Sequence, residues 1–152
     1  IDELEKFDTI INVGNTLPHL SNKDEIFLFL KKAYSQLENS GALVIQLINF
    51  YKFFVHQDMK SDFLGNLPLI QNEKVKFERF YYKNSDSNVI FKTILDNKFE
   101  NEEILTNVNY FDFMKFFEKL NISDVKVFGS FDETEFIPEK SQPLIFVITK
   151  NK

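Results

Sequence analysis

Between residues 7 and 20 the chain collects the groups best suited to hold a ligand. Residues 8–13 read as a buried strand that runs directly into a short polar loop, 14–19, with a capped helix after it. Gly14 has no Cβ and lets the backbone approach a ligand closely. Asn15 offers a carboxamide and His19 an imidazole, both able to donate and accept hydrogen bonds. In an open α/β sheet ligands bind beyond the carboxyl ends of the strands, which is where this loop stands. Other chemistries lack their signatures. There is no Cys, no G-x-S-x-G elbow and no dinucleotide loop, and His19 and His56 are too far apart in sequence to form a helical ligand pair. Asp132, Glu133 and Glu135 form a charge run that reads as a solvated loop.

The elements that must place this loop follow from the periodicity. Residues 9–13 are apolar on both faces except at Asn12, as in a parallel strand covered on both sides. Asn12 is either a satisfied buried amide or a member of the site. Ser21 with Asp24, and Asn22 with Glu25, have the spacing of a helix cap with an acid three residues on. Ile26, Leu30, Ala33 and Leu37 then share one helical face, widened by Phe27 and Tyr34, and Ser40–Gly41 is the expected stop. Residues 42–48 form a second apolar strand, so the unit is a parallel, right-handed βαβ crossover. Residues 49–55 therefore lie on the same sheet edge as the 14–19 loop. Residues 60–74, with Gly65 and Pro68, read as a loop. Residues 75–82 and 89–96 read as strands around a turn cluster, with 104–108 as a candidate third. Together, 60–109 form an antiparallel insertion that covers the site as a lid and excludes water. Arg79, the only Arg in the chain, is placed at the surface of that hairpin, with anion binding as the lesser alternative. A helix over 110–120 with Phe113, Phe116, Phe117 and Leu120 on one face, a strand over 123–128 and a final strand over 144–149 complete the pattern.

Composition narrows the class further. With 152 residues the chain is one domain with room for a real core, and its 19 Phe build much of that core from rings. A formal charge of -5 argues against nucleic acid as partner, because phosphates require a basic face. No apolar run approaches the roughly 20 residues of a membrane span, and residues 1–6 are a charged lead-in, not a signal peptide. The chain starts without Met, so it is expected to begin inside a longer product or after processing. The lack of Cys is compatible with a cytoplasmic location.

The run Phe-Asp-x-Ile-x-x-x-Gly-Asn-x-Leu-x-His-Leu at residues 7–20 resembles the fourth-strand motif of class I S-adenosylmethionine-dependent methyltransferases, in particular the glycine N-methyltransferase-like group. Leu-x-x-x-Gly-x-Leu-x-Ile at 37–45, Asn49-Phe-Tyr51, and the segments 127–131 and 144–150 are similar to that family's later elements, in the same order. The resemblance implies an α/β fold: a partial Rossmann-like methyltransferase sheet, strands four to seven with the last antiparallel, plus the antiparallel insertion. It also implies a glycine-rich loop after the first strand and an acidic residue after the second. Neither is in this sequence, whose four glycines are Gly14, Gly41, Gly65 and Gly129. The whole chain, 1–152, is thus read as the carboxyl-terminal part of such a domain.

By the same resemblance, backbone at Val13 and Gly14 passes close to S-adenosylmethionine. Asn15 is a polar anchor for its methionine end or for the substrate. His19 stands near the site, orienting the substrate or bracing the loop. Asn49 and Tyr51 sit where substrate groups cluster, or Tyr51 packs under the insertion. Ile48 takes the place of the Arg that clamps a carboxylate in glycine N-methyltransferases, so glycine is not the expected acceptor. The expectation is a small-molecule methyltransferase whose fragment here is inactive and binds the cofactor weakly or not at all. The alternative is a non-enzymatic α/β interaction module. In either case strand 9–13, left without its neighbour, is an exposed edge through which the chain should oligomerise.

Overall fold

The first strand, β1 (Phe7–Asn12), leads through a single 3-10 turn (Leu17–His19) into helix α1 (Lys23–Ser35) and then strand β2 (Leu37–Ile48), which pairs with β1 in parallel. The computed structural model describes residues 5–152; the first four residues of the charged lead-in lie outside the described residues. After β2 come α2 (Phe50–Val55), β3 (Phe63–Asn66), β4 (Ile70–Gln71), β5 (Lys76–Lys83), β6 (Asn88–Leu95), β7 (Phe99–Thr106), α3 (Tyr110–Lys119), β8 (Val125–Phe128) and β9 (Pro143–Thr149).

Two sheets result. One has the order β1-β2-β9-β8, and its last strand, β9, runs antiparallel to both neighbours, as expected for the final strand of the partial Rossmann-like sheet. The other has the order β3-β5-β6-β7 with β4 also on β5, antiparallel throughout. It is the expected insertion, larger than its sequence suggests. Residues 60–74, read as a loop, supply β3 and β4. These strands are very short and carry Gly65, so they lack the alternation that marks a strand; pairing with β5 makes them strands.

The helices α1 and α3 share a core with one face of the first sheet. Ile26, Leu30 and Ala33 of α1 and Phe113, Phe116 and Phe117 of α3 meet Leu43, Ile45 and Leu47 of β2 and Phe146 of β9. Phe113 and Phe117 pack at 4.9 and 5.2 Å from the Phe146 ring. Both helix starts are capped by the means the sequence offers. Asn22 accepts from Glu25 N–H at 2.9 Å, while Ser21 N–H donates back to Glu25 Oε2 at 2.9 Å. Asn109 and Asp112 form a full capping box on α3.

Two local expectations need correction. The helix stops at Ser35, not at Ser40–Gly41, and β2 begins at Leu37. Leu37 is buried as the helical stripe requires, but it pairs with Phe7, and the register then shifts so that Thr9 meets Ala42. Gly41 lies in that bulge. A Cβ there would stand 2.9–3.1 Å from three backbone carbonyl oxygens, so close strand approach requires it, not a helix stop. Second, the apolar character of β1 suggests cover on both faces, yet Ile11 is 65% exposed. Among the described residues β1 pairs with β2 alone and forms the sheet edge.

A second core joins the sheets. Phe50 and Phe53 of α2 pack with Leu64, Tyr81, Val89 and Leu105 of the insertion. Phe53 presses so closely on Gly65 that a Cβ there would lie 2.6 Å from its ring. The β7 end is tied to the β1 loop by Thr106 Oγ1, which donates to Leu20 O at 2.7 Å. The insertion is thereby held across the carboxyl ends of β1 and β2.

Candidate functional site

The loop after β1 is built on two left-handed residues in succession, Gly14 (φ 83°) and Asn15 (φ 60°). Gly and Asn are the residue types that tolerate this conformation best. The turn is held to the end of β2. Gly14 N–H donates to Gln46 Oε1 at 2.7 Å, and Asn15 N–H donates to Gln46 O at 3.3 Å. In return Ile48 N–H donates to Asn15 Oδ1 at 2.9 Å. Asn12 resolves as a local support: its Oδ1 accepts from the Thr16 hydroxyl at 2.8 Å.

Gly14, Asn15 and His19 line one side of a cavity of about 280 Å³. Gln46 and Ile48 form its floor at the end of β2, and Leu67, Arg79, Tyr81 and Phe91 of the insertion close it. Three of the residues singled out from the sequence are thus brought together, with the insertion over them. His19 Nδ1 lies 3.1 Å from Glu103 Oε2 of β7, which ties the loop to the insertion. Tyr81 is almost fully buried, with its ring stacked 5.0 Å from that of Phe91. Burial pushes its hydroxyl up to about 12, against a smaller opposing pull from the Arg79 guanidinium.

The other residues singled out do not line this cavity. Val13 is 42% exposed beside it. Asn49 is on the same rim but buried, and its Nδ2 donates to Pro138 O at 2.7 Å and Ser141 O at 2.8 Å. It holds the 130–142 loop against the start of α2. The Tyr51 ring packs edge-on against Phe111 of α3 at 5.0 Å, not under the insertion. Arg79, expected at the surface, is half-buried and lines the cavity, because it sits two residues from Tyr81 and a strand's two-residue period puts both on one face. That spacing was the available signal for Arg79. Gln46 had another: a lone polar residue near the end of an apolar strand.

Among the described residues no group of three His, Asp or Glu side chains is placed to hold a metal ion, and no helix is long and apolar enough to cross a membrane.

No family model and no curated protein matches the sequence. Solved structures do match by fold. An S-adenosylmethionine-dependent methyltransferase from Clostridium acetobutylicum superposes with a TM-score of 0.75 at 11% identity, over 100% of this chain and 61% of that one. The CcbJ methyltransferase from Streptomyces caelestis gives 0.73 at 15% identity, over 100% and 60%. CalS10, an amino pentose methyltransferase from Micromonospora echinaspora solved with S-adenosylmethionine bound, gives 0.63 at 13% identity, over 99% and 61%. The chain spans about 60% of the length of the solved structures it matches. It therefore shares part of the fold of these methyltransferase structures, a partial Rossmann-like sheet with an antiparallel sheet set across its carboxyl edge.

Proposed function

We propose that the chain forms the acceptor side of an S-adenosylmethionine-dependent methyltransferase acting on a small molecule. The observation that carries this is the cavity enclosed between the Gly14–Asn15 turn and the insertion. It lies at the carboxyl ends of the strands, where open α/β sheets bind ligands. At about 280 Å³ it is near the lower end of the ~300–1,000 Å³ usual for small-molecule sites. One of the matching structures is described as an amino pentose methyltransferase, which suits an acceptor of that size.

The rim residues fit the edge of the cofactor. A Cβ on Gly14 would meet nothing within 4 Å, so the backbone there faces open space. Asn15 uses its carboxamide oxygen on Ile48 N–H, which leaves its amide nitrogen for a ligand. When bound, S-adenosylmethionine supplies a methyl group activated on a sulfonium. What the protein adds to such a transfer is chiefly proximity, orientation and exclusion of water. In this reading Val13 and Gly14 flank the cofactor, and Asn15 anchors it or the acceptor. His19, steadied by Glu103, orients the acceptor, while Asn49 and Tyr51 act through the loop and helix they hold. The insertion, with Tyr81 and Phe91, keeps water out.

The sequence contains no G-x-G loop to hold the rest of the cofactor. The isolated chain is therefore expected to give no saturable heat on calorimetric titration with S-adenosylmethionine. A glycine-rich loop encoded about 50–80 residues upstream of Phe7, at ~30 residues or more per βαβ unit, should restore binding in the longer protein. Micromolar affinity in the isolated chain, or an upstream sequence without such a loop, overturns this division of labour.

The exposure of β1 favours a second reading, a non-enzymatic module that joins other copies through its sheet edge.

A further inference from the structure

The cavity under the insertion contains a charge that no carboxylate among the described residues neutralises. Arg79 is the sole arginine, and among the described residues no carboxylate oxygen lies within 4.0 Å of its guanidinium. Its Nη2 donates to Pro68 O at 2.9 Å, across the turn that follows β3. Its Nε is buried and has no acceptor among the described residues. A buried donor on a charged group is costly to leave unmet, and native structures rarely do so without a reason. The surroundings say what the missing acceptor is. Gln46, Asn15 and His19 supply polar groups on the facing wall, while Tyr81, Phe91 and Leu67 supply apolar surface. Glu103, the carboxylate at that rim, is engaged with His19. A guanidinium among aromatic walls recognises an oxyanion on an apolar or ring-shaped body.

We propose that this cavity is an oxyanion subsite, in which Arg79 holds the carboxylate or phosphate of a small organic anion whose body lies against Tyr81 and Phe91. A role confined to bracing the 67–69 turn accounts for the Pro68 contact but leaves the charge that lines the cavity without a counter-ion among the described residues. That the anion is the methyl acceptor rests on the function proposed above; that the cavity binds an anion does not.

The test needs no cofactor, so its failure is separate from failure of the methyltransferase reading. As the only arginine, Arg79 should give a single Nε–H resonance in the arginine region of a ¹⁵N–¹H spectrum. The chain is titrated with benzoate, with phenyl phosphate and with benzamide, the neutral counterpart of benzoate. The expected result is a saturable shift of that resonance with one or both anions and none with benzamide. The tighter-binding anion identifies the headgroup. Calorimetric affinity for that anion should fall about tenfold or more in Arg79→Gln, the loss expected for a hydrogen bond to a charged group. A benzamide shift equal to that of benzoate, no response to either anion, or an unchanged affinity in Arg79→Gln overturns the proposal. If Arg79→Gln does not fold, the comparison of benzoate, phenyl phosphate and benzamide on the unaltered chain still decides it.

Discussion

Tyr81 shows how much one side chain's surroundings can change its behaviour. Its ring lies between Phe50, Phe53 and Phe91, at centroid distances of 5.4, 5.6 and 5.0 Å, and its phenol resists ionisation up to about 12. Burial is the cause, and Arg79 only moderates it. The consequence for stability has a definite sign. Below the ordinary value of 10.0 both the folded and unfolded chains keep the proton. Between 10.0 and about 12 the unfolded chain has lost it while the folded chain retains it, so stability falls across that window. Tyr81→Phe removes this contribution. Its urea midpoint should fall less steeply than the wild-type midpoint between pH 10 and pH 12, and parallel curves would refute the assignment. Sequence alone set Asn15 and His19 just beyond a strand end, and both line the cavity. It misplaced Arg79, because exposure is the usual state of an arginine and nothing local shows what lies over a given face of a hairpin.

Among the elements, the contact between β3 and α2 is a close one, made at Gly65. Gly65 faces the Phe53 ring at a distance that leaves no room for a methyl group, and that ring is itself held against Tyr81. Gly65→Ala should cost about 1–3 kcal/mol, the usual price of overpacking a filled core. The expected readout is a lower denaturant midpoint with the slope unchanged. A neutral result would mean that α2 shifts freely against the insertion. The helices were readable from sequence because caps and 3.6-residue stripes are local: Asn22 caps α1 as its spacing to Glu25 suggests, and Phe113, Phe116 and Phe117 form the buried face of α3. The α1–β2 boundary was not. Leu37 satisfies the helical stripe and the strand pattern equally, and pairing with Phe7 decides between them. The same holds for β3 and β4, which exist only as partners of β5.

For the molecule as a whole, the outstanding feature is the β1 edge. Beside it runs an open, mostly apolar groove of about 480 Å³, lined by Phe7, Thr9, Ile10, Phe29, Ala33 and residues at the end of α1. It is larger than the cavity under the insertion, but its lining is mostly apolar, with Lys32 and Gln36 at its margin, and it lies at the strand edge, away from the carboxyl rim. Among the described residues β1 has no strand partner besides β2, and an apolar edge beside an apolar groove is the kind of surface that invites pairing. The chain is expected to form a dimer or higher oligomer through β1 in light scattering at high concentration. Ile11→Lys, which places a charge on the most exposed apolar residue of that strand, should shift it to monomer. A wild-type monomer at every concentration counts against the edge as an interface.

Elements whose evidence lies within a few residues were settled by the chain of residues itself: the strand–loop–helix start, the cap of α1, the apolar stripe of α3 and the apolar strands. Spacing within a turn or two of backbone is enough to set these, because the hydrogen bonds and side-chain stripes involved are local. The composition of the cavity was settled only by the three-dimensional packing. Gln46, Arg79 and His19 come from three separate elements, and they line one cavity because the insertion folds back over the carboxyl ends of β1 and β2. That approach depends on contacts between residues distant in sequence, such as Phe50 with Tyr81 and Thr106 with Leu20, for which no local pattern is a substitute.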